Sequence, residues 1–127
     1  MRIMIVDDSK VARLGVKKSL PANMIEINDI EFASNGQEAV DKYKNNKFDL
    51  IFMDLTMPIK NGYEATKEIS SHDKDSYIIV ITADIQNKGL SLARENGARD
   101  VIKKPIDPSK LNHVLVDFFK NREKQNG

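Results

Sequence analysis

A chain of 127 residues, 40% of them hydrophobic, has the length and composition of one globular domain that buries a core without covalent cross-links. It contains no cysteine, which excludes disulfides, thiolate nucleophiles and metal sites built on thiolates. A net charge of +1 argues against general attraction to nucleic acid, and no apolar run approaches a membrane span, so we expect no membrane insertion and a cytoplasmic location.

Five short apolar runs predict β-strands. They are rich in Val, Ile and Phe, and three of them are apolar almost without alternation, as expected for parallel strands that are covered on both faces. The runs are residues 2–6, 30–33, 50–53, 77–81 and 100–102.

Each run is followed by a segment with helix signals. Asn35, with Glu38 three residues later, has the pattern of an N-cap and its reciprocal partner. Gly97 is a C-cap signal for the helix before it. The first helix is indicated by Val11, Leu14 and Leu20, the second begins after Asn35, the third covers residues 63–70 and the fourth covers residues 86–96.

A fifth helix begins after Asp107, a capping carboxylate directly before Pro108, whose missing N–H costs nothing at the first helical position. Apolar residues then recur at spacings of three and four, which predicts that this helix packs on the sheet. The stripe consists of Leu111, Val114, Leu115, Phe118 and Phe119. We expect the domain to span residues 1–122, followed by a polar C-terminal tail at residues 123–127.

The alternation of strand and helix, five times over, predicts an α/β fold, a doubly wound (βα)5 sandwich around a five-stranded parallel sheet. In such open sheets ligands bind beyond the carboxyl ends of the strands. Four of the five runs end there in side chains with reactive or coordinating chemistry, namely Asp7-Asp8, Asp54, Thr82 and Lys103-Lys104-Pro105.

Each of these residues alone has an ordinary structural explanation. Asp7 or Asp8 could cap the first helix, and Asp54 could begin a polar loop. Thr82 could be a β-branched strand residue, and Lys104 a solvated surface lysine. Their common placement at one edge of the sheet favours a shared site, because independent structural features need not converge.

Three carboxylates at one edge repel one another and raise one another's pKa unless a cation lies among them. An all-oxygen cluster suits Mg²⁺ (or Mn²⁺), since Mg²⁺ commonly takes one or two carboxylates, several waters and a phosphate oxygen. An ammonium from Lys104 and a hydroxyl from Thr82 would contact the other phosphate oxygens. The pattern therefore predicts a phosphoryl-transfer site.

Several short motifs occur in a fixed order along the chain: Val6-Asp7-Asp8-Ser9, Met53 to Pro58 with Asn61-Gly62, Ile81-Thr82-Ala83, Asn96-Gly97-Ala98 and Lys104-Pro105. In these motifs the chain resembles the receiver domain of two-component response regulators, particularly the CheY-like single-domain regulators. The resemblance covers Arg2 to about Arg122. It implies the strand order 2-1-3-4-5.

The resemblance implies that Asp54 is the phosphoacceptor, forming a 4-aspartylphosphate. It implies that Asp8 and the Asp54 carboxylate bind Mg²⁺ directly. The backbone carbonyl of Thr56 would be a third protein ligand, and Asp7 would act largely through water.

The same resemblance assigns the phosphoryl-binding and switch residues. Thr82, with its neighbour Ala83, would contact the phosphoryl group once it arrives, and Lys104 would pair with it. The bond between Lys104 and Pro105 resembles the cis peptide of the family, which would hold the lysine in place. Lys103 is expected to point elsewhere.

One position departs from the family pattern. Receiver domains commonly carry Tyr or Phe three residues before the lysine, where this chain has Val101. Val101 lacks the aromatic ring whose inward movement is associated with the switch, so coupling would depend on Thr82 and the following loop. Thr56 and Asp84 occupy positions that tune the phosphorylated lifetime in the family.

The resemblance implies a sensor histidine kinase of the CheA type as phosphodonor and a signalling role without catalysis on an added substrate. The output partner would be a downstream protein, with the flagellar switch as one candidate, bound by the predicted fourth helix, fifth strand and fifth helix. A phosphatase is a further candidate partner. Residues 84–127 carry nine basic and six acidic side chains. The candidate contacts are Lys88, Arg94, Arg99 and Lys110, each of which could equally be an ordinary solvated residue on a helix face.

Other classes of protein share parts of this pattern. A haloacid-dehalogenase-type phosphatase also uses a nucleophilic aspartate after a strand, but there the acidic pair comes last, whereas here Asp7-Asp8 precede Asp54. A flavodoxin would place a phosphate where this acidic pair lies, and the negative charge of the pair argues against that function. His72 and His113 could carry a phosphoryl group, but they lack organising partners in the sequence. A receiver excised from a larger regulator and a phosphorelay intermediate stay open.

Overall fold

The computed structural model describes residues 1–83 and 87–126. Within these residues five parallel strands form one sheet in the order β2-β1-β3-β4-β5. The strands are β1 (Arg2–Val6), β2 (Asp29–Ala33), β3 (Leu50–Asp54), β4 (Ile78–Thr82) and β5 (Asp100–Lys103). The predicted doubly wound α/β fold and its strand order are confirmed.

Six helices lie within the described residues, one more than the sequence analysis predicts. They are α1 (Lys10–Ser19), α2 (Ala22–Ile27), α3 (Gly36–Asn45), α4 (Gly62–His72), α5 (Asn87–Glu95) and α6 (Pro108–Asn126). Helix α6 includes residues 123–126, which the sequence analysis assigns to a polar tail.

The unpredicted helix, α2, results from a proline. Leu20 precedes Pro21, and a residue before proline is disfavoured in the helical region, so Leu20 is extended (φ −71°, ψ 148°) and α1 ends there. Pro21 then serves as the N-cap position of α2 (φ −55°). Met24, in this short helix, is buried and packs into the core.

The strands at the centre of the sheet are covered on both faces. β3 and β4 are buried throughout, and β1 is buried except for Arg2, whereas the edge strands β2 and β5 are partly exposed. One face packs against α3, α4 and α5, and the other against α1, α2 and α6. The continuous apolar runs therefore identify the inner strands, as expected for a parallel sheet with helices on both faces.

Three apolar side chains that helped to predict helices do not enter the core. Val11 is 82% exposed and Leu14 is also exposed, while Val16 and Leu20 provide the buried contacts of this segment. In α6, Phe119 is 41% exposed, whereas the other four residues of the predicted stripe are buried. Successive helical residues differ in direction by about 100°, and the buried face of α6 is centred on Leu111, Val114, Leu115 and Phe118, which leaves Phe119 at its edge. No helix within residues 1–83 and 87–126 combines the length and the apolar character needed to cross a membrane.

Candidate functional site

The site lies at the carboxyl edge of the sheet, around its middle strand. Asp54 is the last residue of β3, and Asp7 and Asp8 directly follow the neighbouring strand β1. Thr82 is the last residue of β4, on the other side of β3, and Lys104 directly follows β5. Because the strands are parallel and in register, these ends come together at one edge, as the sequence analysis expects.

Three carboxylates form a compact acidic cluster. Asp7, Asp8 and Asp54 each offer one oxygen, and these oxygens all lie within 4.8 Å of one another. Asp7 and Asp54 are only 4% and 7% exposed, whereas Asp8 is open to solvent. An all-oxygen set with one solvent-facing member has the donor chemistry that suits a partly hydrated Mg²⁺ or Mn²⁺.

Lys104 supplies the positive charge of the cluster. Its ammonium donates a hydrogen bond to Asp7 Oδ2 at 3.0 Å and lies 3.3 Å from Asp54 Oδ1. Its backbone N–H donates to the carbonyl of Thr82 at 2.8 Å, which ties the end of β5 to the end of β4. The peptide bond from Lys104 to Pro105 is cis.

The electrostatics of the cluster follow from burial and from its charge count. Burial and the negative charge of Asp7 raise the pKa of Asp54, and the Lys104 ammonium only partly opposes this. Burial disfavours the charged form of Lys104, but its hydrogen bond to Asp7 and the charge of Asp54 outweigh that effect and raise the pKa of Lys104. One ammonium does not balance three carboxylates, so a divalent cation at this position would relieve the repulsion.

The structure corrects the idea that an aspartate caps the first helix. Ser9 is the N-cap of α1, and its side chain accepts a hydrogen bond from the Ala12 N–H at 3.2 Å. The Asp7 carboxylate accepts from the Ser9 N–H at 2.9 Å, and the Arg13 guanidinium donates to the Asp7 carbonyl at 2.7 Å. These contacts hold Asp7 in place, and the role of Arg13 was not predicted from the sequence.

Gly62 shapes the loop that follows Asp54. It is the first residue of α4, and its N–H donates to the Leu55 carbonyl at 2.9 Å. A Cβ at this position would lie 2.0 Å from the Asp54 carbonyl oxygen, so the close approach requires glycine. Asn61 caps α4 in a capping box with Glu64. From the sequence, Gly62 was noted only as part of the Asn61-Gly62 motif, and the helix was predicted to begin one residue later.

The remaining predicted site residues occupy different environments. Thr82 is buried at the site, and Ala83 after it is exposed. Thr56 is exposed in the loop after β3, and Val101 is half-buried against the core on the α3, α4 and α5 face. Asp84 lies outside the described residues.

The candidate partner contacts are partly occupied within the chain. The Arg94 guanidinium lies 3.5 Å from the Asp100 carboxylate, and that of Arg99 donates to the Lys74 carbonyl at 3.2 Å. Lys110 is exposed, as are Lys103, His72 and His113, and the side chain of Lys88 lies outside the described residues. A groove of about 470 Å³ runs between β5 and α6 and is lined by residues that include Val101, Lys103, Lys110 and His113.

Comparisons with known proteins agree with this geometry. The family model for the response regulator receiver domain matches residues 3–116. Chemotaxis protein CheY of Thermotoga maritima is 40% identical over 114 residues, which cover 90% of this chain and 93% of that protein. Protein CcdB of Bacillus subtilis is 38% identical over 111 residues, 87% of this chain and 90% of that protein. A chain in the crystal structure of the CheX-CheY-BeF3-Mg+2 complex from Borrelia burgdorferi has a TM-score of 0.85 at 30% identity, covering 94% of this chain and 89% of that one.

Proposed function

This chain belongs to the response regulator receiver domain family, and we propose from that premise that it is a phosphorylated signalling switch whose acceptor is Asp54. The observation that carries the proposal is the position of Asp54. It is buried on the middle strand, with Asp7 and Asp8 on one side and an ammonium 3.3 Å away. A carboxylate with this surrounding can accept a phosphoryl group and keep it among charges that stabilise it.

In the proposed reaction a carboxylate oxygen of Asp54 attacks the phosphorus of a phosphohistidine on a sensor kinase. The new O–P bond forms an acyl phosphate, the N–P bond of the donor breaks, and the released imidazole nitrogen takes a proton from solvent. The ionised carboxylate of Asp54 has no proton to lose before it attacks, so no general base is needed. The main task of this chain is to position the groups and to balance their charge.

Mg²⁺ is the proposed cofactor, and the donor set fits it. Asp8 and Asp54 would hold the ion through carboxylate oxygens, Thr56 through its backbone carbonyl, and Asp7 through water. When bound, the ion neutralises charge on the phosphoryl oxygens during transfer. The fit depends on three carboxylate oxygens within 4.8 Å and on the exposure of Asp8, which leaves room for water ligands.

Lys104, Thr82 and Ala83 are proposed to bind the phosphoryl group after transfer. Lys104 already lies between two carboxylates, so a small shift of its ammonium would pair it with a phosphoryl oxygen. A hydrogen bond from the Thr82 hydroxyl would draw the end of β4 toward the site, and β4 leads toward α5. Because Val101 replaces the usual aromatic residue, we assign the coupling to Thr82 and the segment after it.

The proposed output surface consists of α5, β5 and α6, where the 470 Å³ groove lies. Its partner is a protein that distinguishes the two arrangements of this surface. The similarity to CheY makes the flagellar switch a reasonable first candidate for this partner and a CheA-type kinase a first candidate for the phosphodonor, with a phosphatase as a further partner. The comparable similarity to CcdB keeps other pathways open. We propose a cytoplasmic location and no direct contact with nucleic acid or membrane.

The test is phosphorylation by acetyl phosphate and Mg²⁺, followed by intact-mass measurement. We expect one acid-labile phosphoryl group on the wild-type chain and none on Asp54→Asn. Asp41→Asn is the matched control, since Asp41 is an exposed carboxylate on α3 that accepts a hydrogen bond from Gln37. Labelling of Asp54→Asn to the same occupancy would refute the assignment, and repeated turnover of an added phosphomonoester would favour a phosphatase instead.

A further inference from the structure

Ile59 has an unusual backbone conformation. Among the non-glycine residues that the structure describes, it alone has a positive φ, 70°. The Lys60 N–H donates to the Pro58 carbonyl at 2.7 Å, which closes a three-residue γ-turn centred on Ile59. The γ-turn with positive φ is rare and strained, and a β-branched side chain makes it less favourable still.

Neighbouring elements hold this turn from two sides. The Lys60 carbonyl accepts a hydrogen bond from the Gly36 N–H at 2.9 Å, and the Lys60 ammonium contacts the Glu68 carboxylate on α4. A Cβ on Gly36 would lie only 2.3 Å from the Lys60 carbonyl oxygen, which shows how closely the start of α3 approaches the loop after Asp54. Asn61 then caps α4. The surrounding structure therefore sets the backbone at Ile59.

Burial of the Ile59 side chain does not offset the strain of this turn. It is 82% exposed, next to the exposed Pro58. Glycine or asparagine would adopt the same backbone at lower cost, so packing within the chain gives no reason for a β-branched apolar residue here. Backbone strain of this kind is characteristic of functional sites. The loop that contains Ile59 begins directly after Asp54, at the rim of the acidic cluster.

The location of the loop decides which partner the side chain can meet. Gly36 and α4 hold the loop, so it leans toward the β2 side of the sheet, whereas the proposed output surface lies at β5. A donor protein must bring its phosphorus into bonding range of Asp54, and so it must cover the rim of the cluster. We expect acetyl phosphate, a small molecule, to reach Asp54 without a contact to Ile59.

We propose that Ile59 is a contact and specificity residue for the phosphohistidine-bearing protein that donates to Asp54. Its side chain meets an apolar surface beside the donor histidine, and the strained turn presents it there. This inference rests on the proposed function of Asp54. It concerns recognition of the protein donor and leaves the chemistry at the acidic cluster unchanged.

The test compares two donors on the same variants. Each histidine kinase of the source organism is autophosphorylated with labelled ATP and screened for transfer to the wild-type chain, and the fastest is used for rates. For Ile59→Asn and Ile59→Gly we expect about tenfold slower transfer from this kinase, the effect of losing a contact worth about 1.4 kcal/mol. Phosphorylation by acetyl phosphate should stay within about twofold of wild type, because chemistry and donor recognition are separate.

Two controls separate recognition from a structural effect. Ile59→Leu keeps an apolar side chain and should retain most of the kinase transfer rate. Asn45→Ala changes an exposed residue at the C-terminal end of α3, outside the proposed output surface, and should leave transfer unchanged. Ile59→Asn and Ile59→Gly should also melt at or above the wild-type temperature, because they relieve the strain of the turn.

Different outcomes would overturn the inference about Ile59 and the proposed function of Asp54. Equal kinase transfer by wild type and Ile59→Asn would overturn the inference, and so would equal slowing with acetyl phosphate. It would also be overturned if acetyl phosphate labels Asp54 but no kinase of the organism transfers to the wild-type chain. Failure of acetyl phosphate to label the wild-type chain would instead overturn the proposed function on which the inference rests.

Discussion

Gly62→Ala tests how strongly the phosphorylation site depends on one close backbone approach. The added Cβ would lie 2.0 Å from the Asp54 carbonyl oxygen and 2.7 Å from Leu55 Cα, and both are backbone atoms with no flexible end that could move away. Carbon atoms in contact normally stay about 3.5 Å apart, so the start of α4 and the end of β3 must separate by more than about 1 Å.

The cost of this separation can be worked from the contacts. Overpacking of a filled site costs about 1–3 kcal/mol, and loss of the hydrogen bond from the Gly62 N–H to the Leu55 carbonyl adds about 1 kcal/mol. We therefore expect about 3 kcal/mol of lost stability, which corresponds to a melting temperature about 10 °C lower for a domain of this size.

The same movement should affect the chemistry. Displacing the Asp54 backbone moves its carboxylate relative to Asp8 and Lys104, and a misplacement of about 1 Å can slow a positioned reaction about 100-fold. The assays are thermal unfolding by circular dichroism and the rate of phosphorylation by acetyl phosphate, measured well below the melting temperature of the variant.

Gly15→Ala is the matched control. Gly15 lies within α1, and a Cβ there would meet no atom within 4 Å. Alanine is the better helix former, so this variant should be more stable by up to about 1 kcal/mol and should be phosphorylated at the wild-type rate. A Gly62→Ala protein with wild-type stability and wild-type phosphorylation would refute the argument from close approach.

Two further predictions concern polar contacts. Tyr43→Phe removes the hydrogen bond from the tyrosine hydroxyl to Asp73 Oδ2 at 2.6 Å and should cost about 1 kcal/mol at neutral pH, measured by urea unfolding. Burial raises the pKa of Asp73, but this hydrogen bond helps to hold that pKa below its usual range. The difference in stability between wild type and Tyr43→Phe should therefore shrink as pH falls below about 4, and a difference that stays constant would contradict this. Lys104→Met removes the cation beside Asp7 and Asp54. Mg²⁺ should therefore raise the melting temperature of this variant by more than it raises that of wild type. An equal or smaller rise would argue against the acidic cluster as the Mg²⁺ site.

The parts of the fold that could be predicted are those set by local pattern. The inner strands read as continuous apolar runs because helices cover both of their faces, and the strand ends then locate the polar residues of the site. Helix α2 was missed because Leu20 was counted with the first helix, whereas Pro21 holds Leu20 in the extended region and so ends α1 there. The exposure of Val11 and Phe119 depends on how far each helix is rotated on the sheet, which spacing alone does not determine.

The geometry of the loop after Asp54 could not be predicted for a different reason. The turn at Ile59 is held by Gly36, which is 23 residues earlier in the chain and is the first residue of α3. In the sequence, Met57-Pro58 is only a weak turn signal and does not indicate the conformation of Ile59. The strain becomes visible when the start of α3 and the loop after Asp54 are brought within hydrogen-bonding distance, so it is a property of tertiary structure.

The middle position of β3 explains how one carboxylate can serve both proposals. Asp54 ends the third of five strands in spatial order, so it has neighbours on both sides. On the β2 side, its following loop is held by Gly36 and presents Ile59 to a donor. On the β5 side, Lys104 contacts Asp54 and its N–H is bonded to the Thr82 carbonyl. An acceptor on an edge strand would have a neighbouring strand on only one side. A donor protein and the residues that respond to phosphorylation could then not approach it from opposite sides.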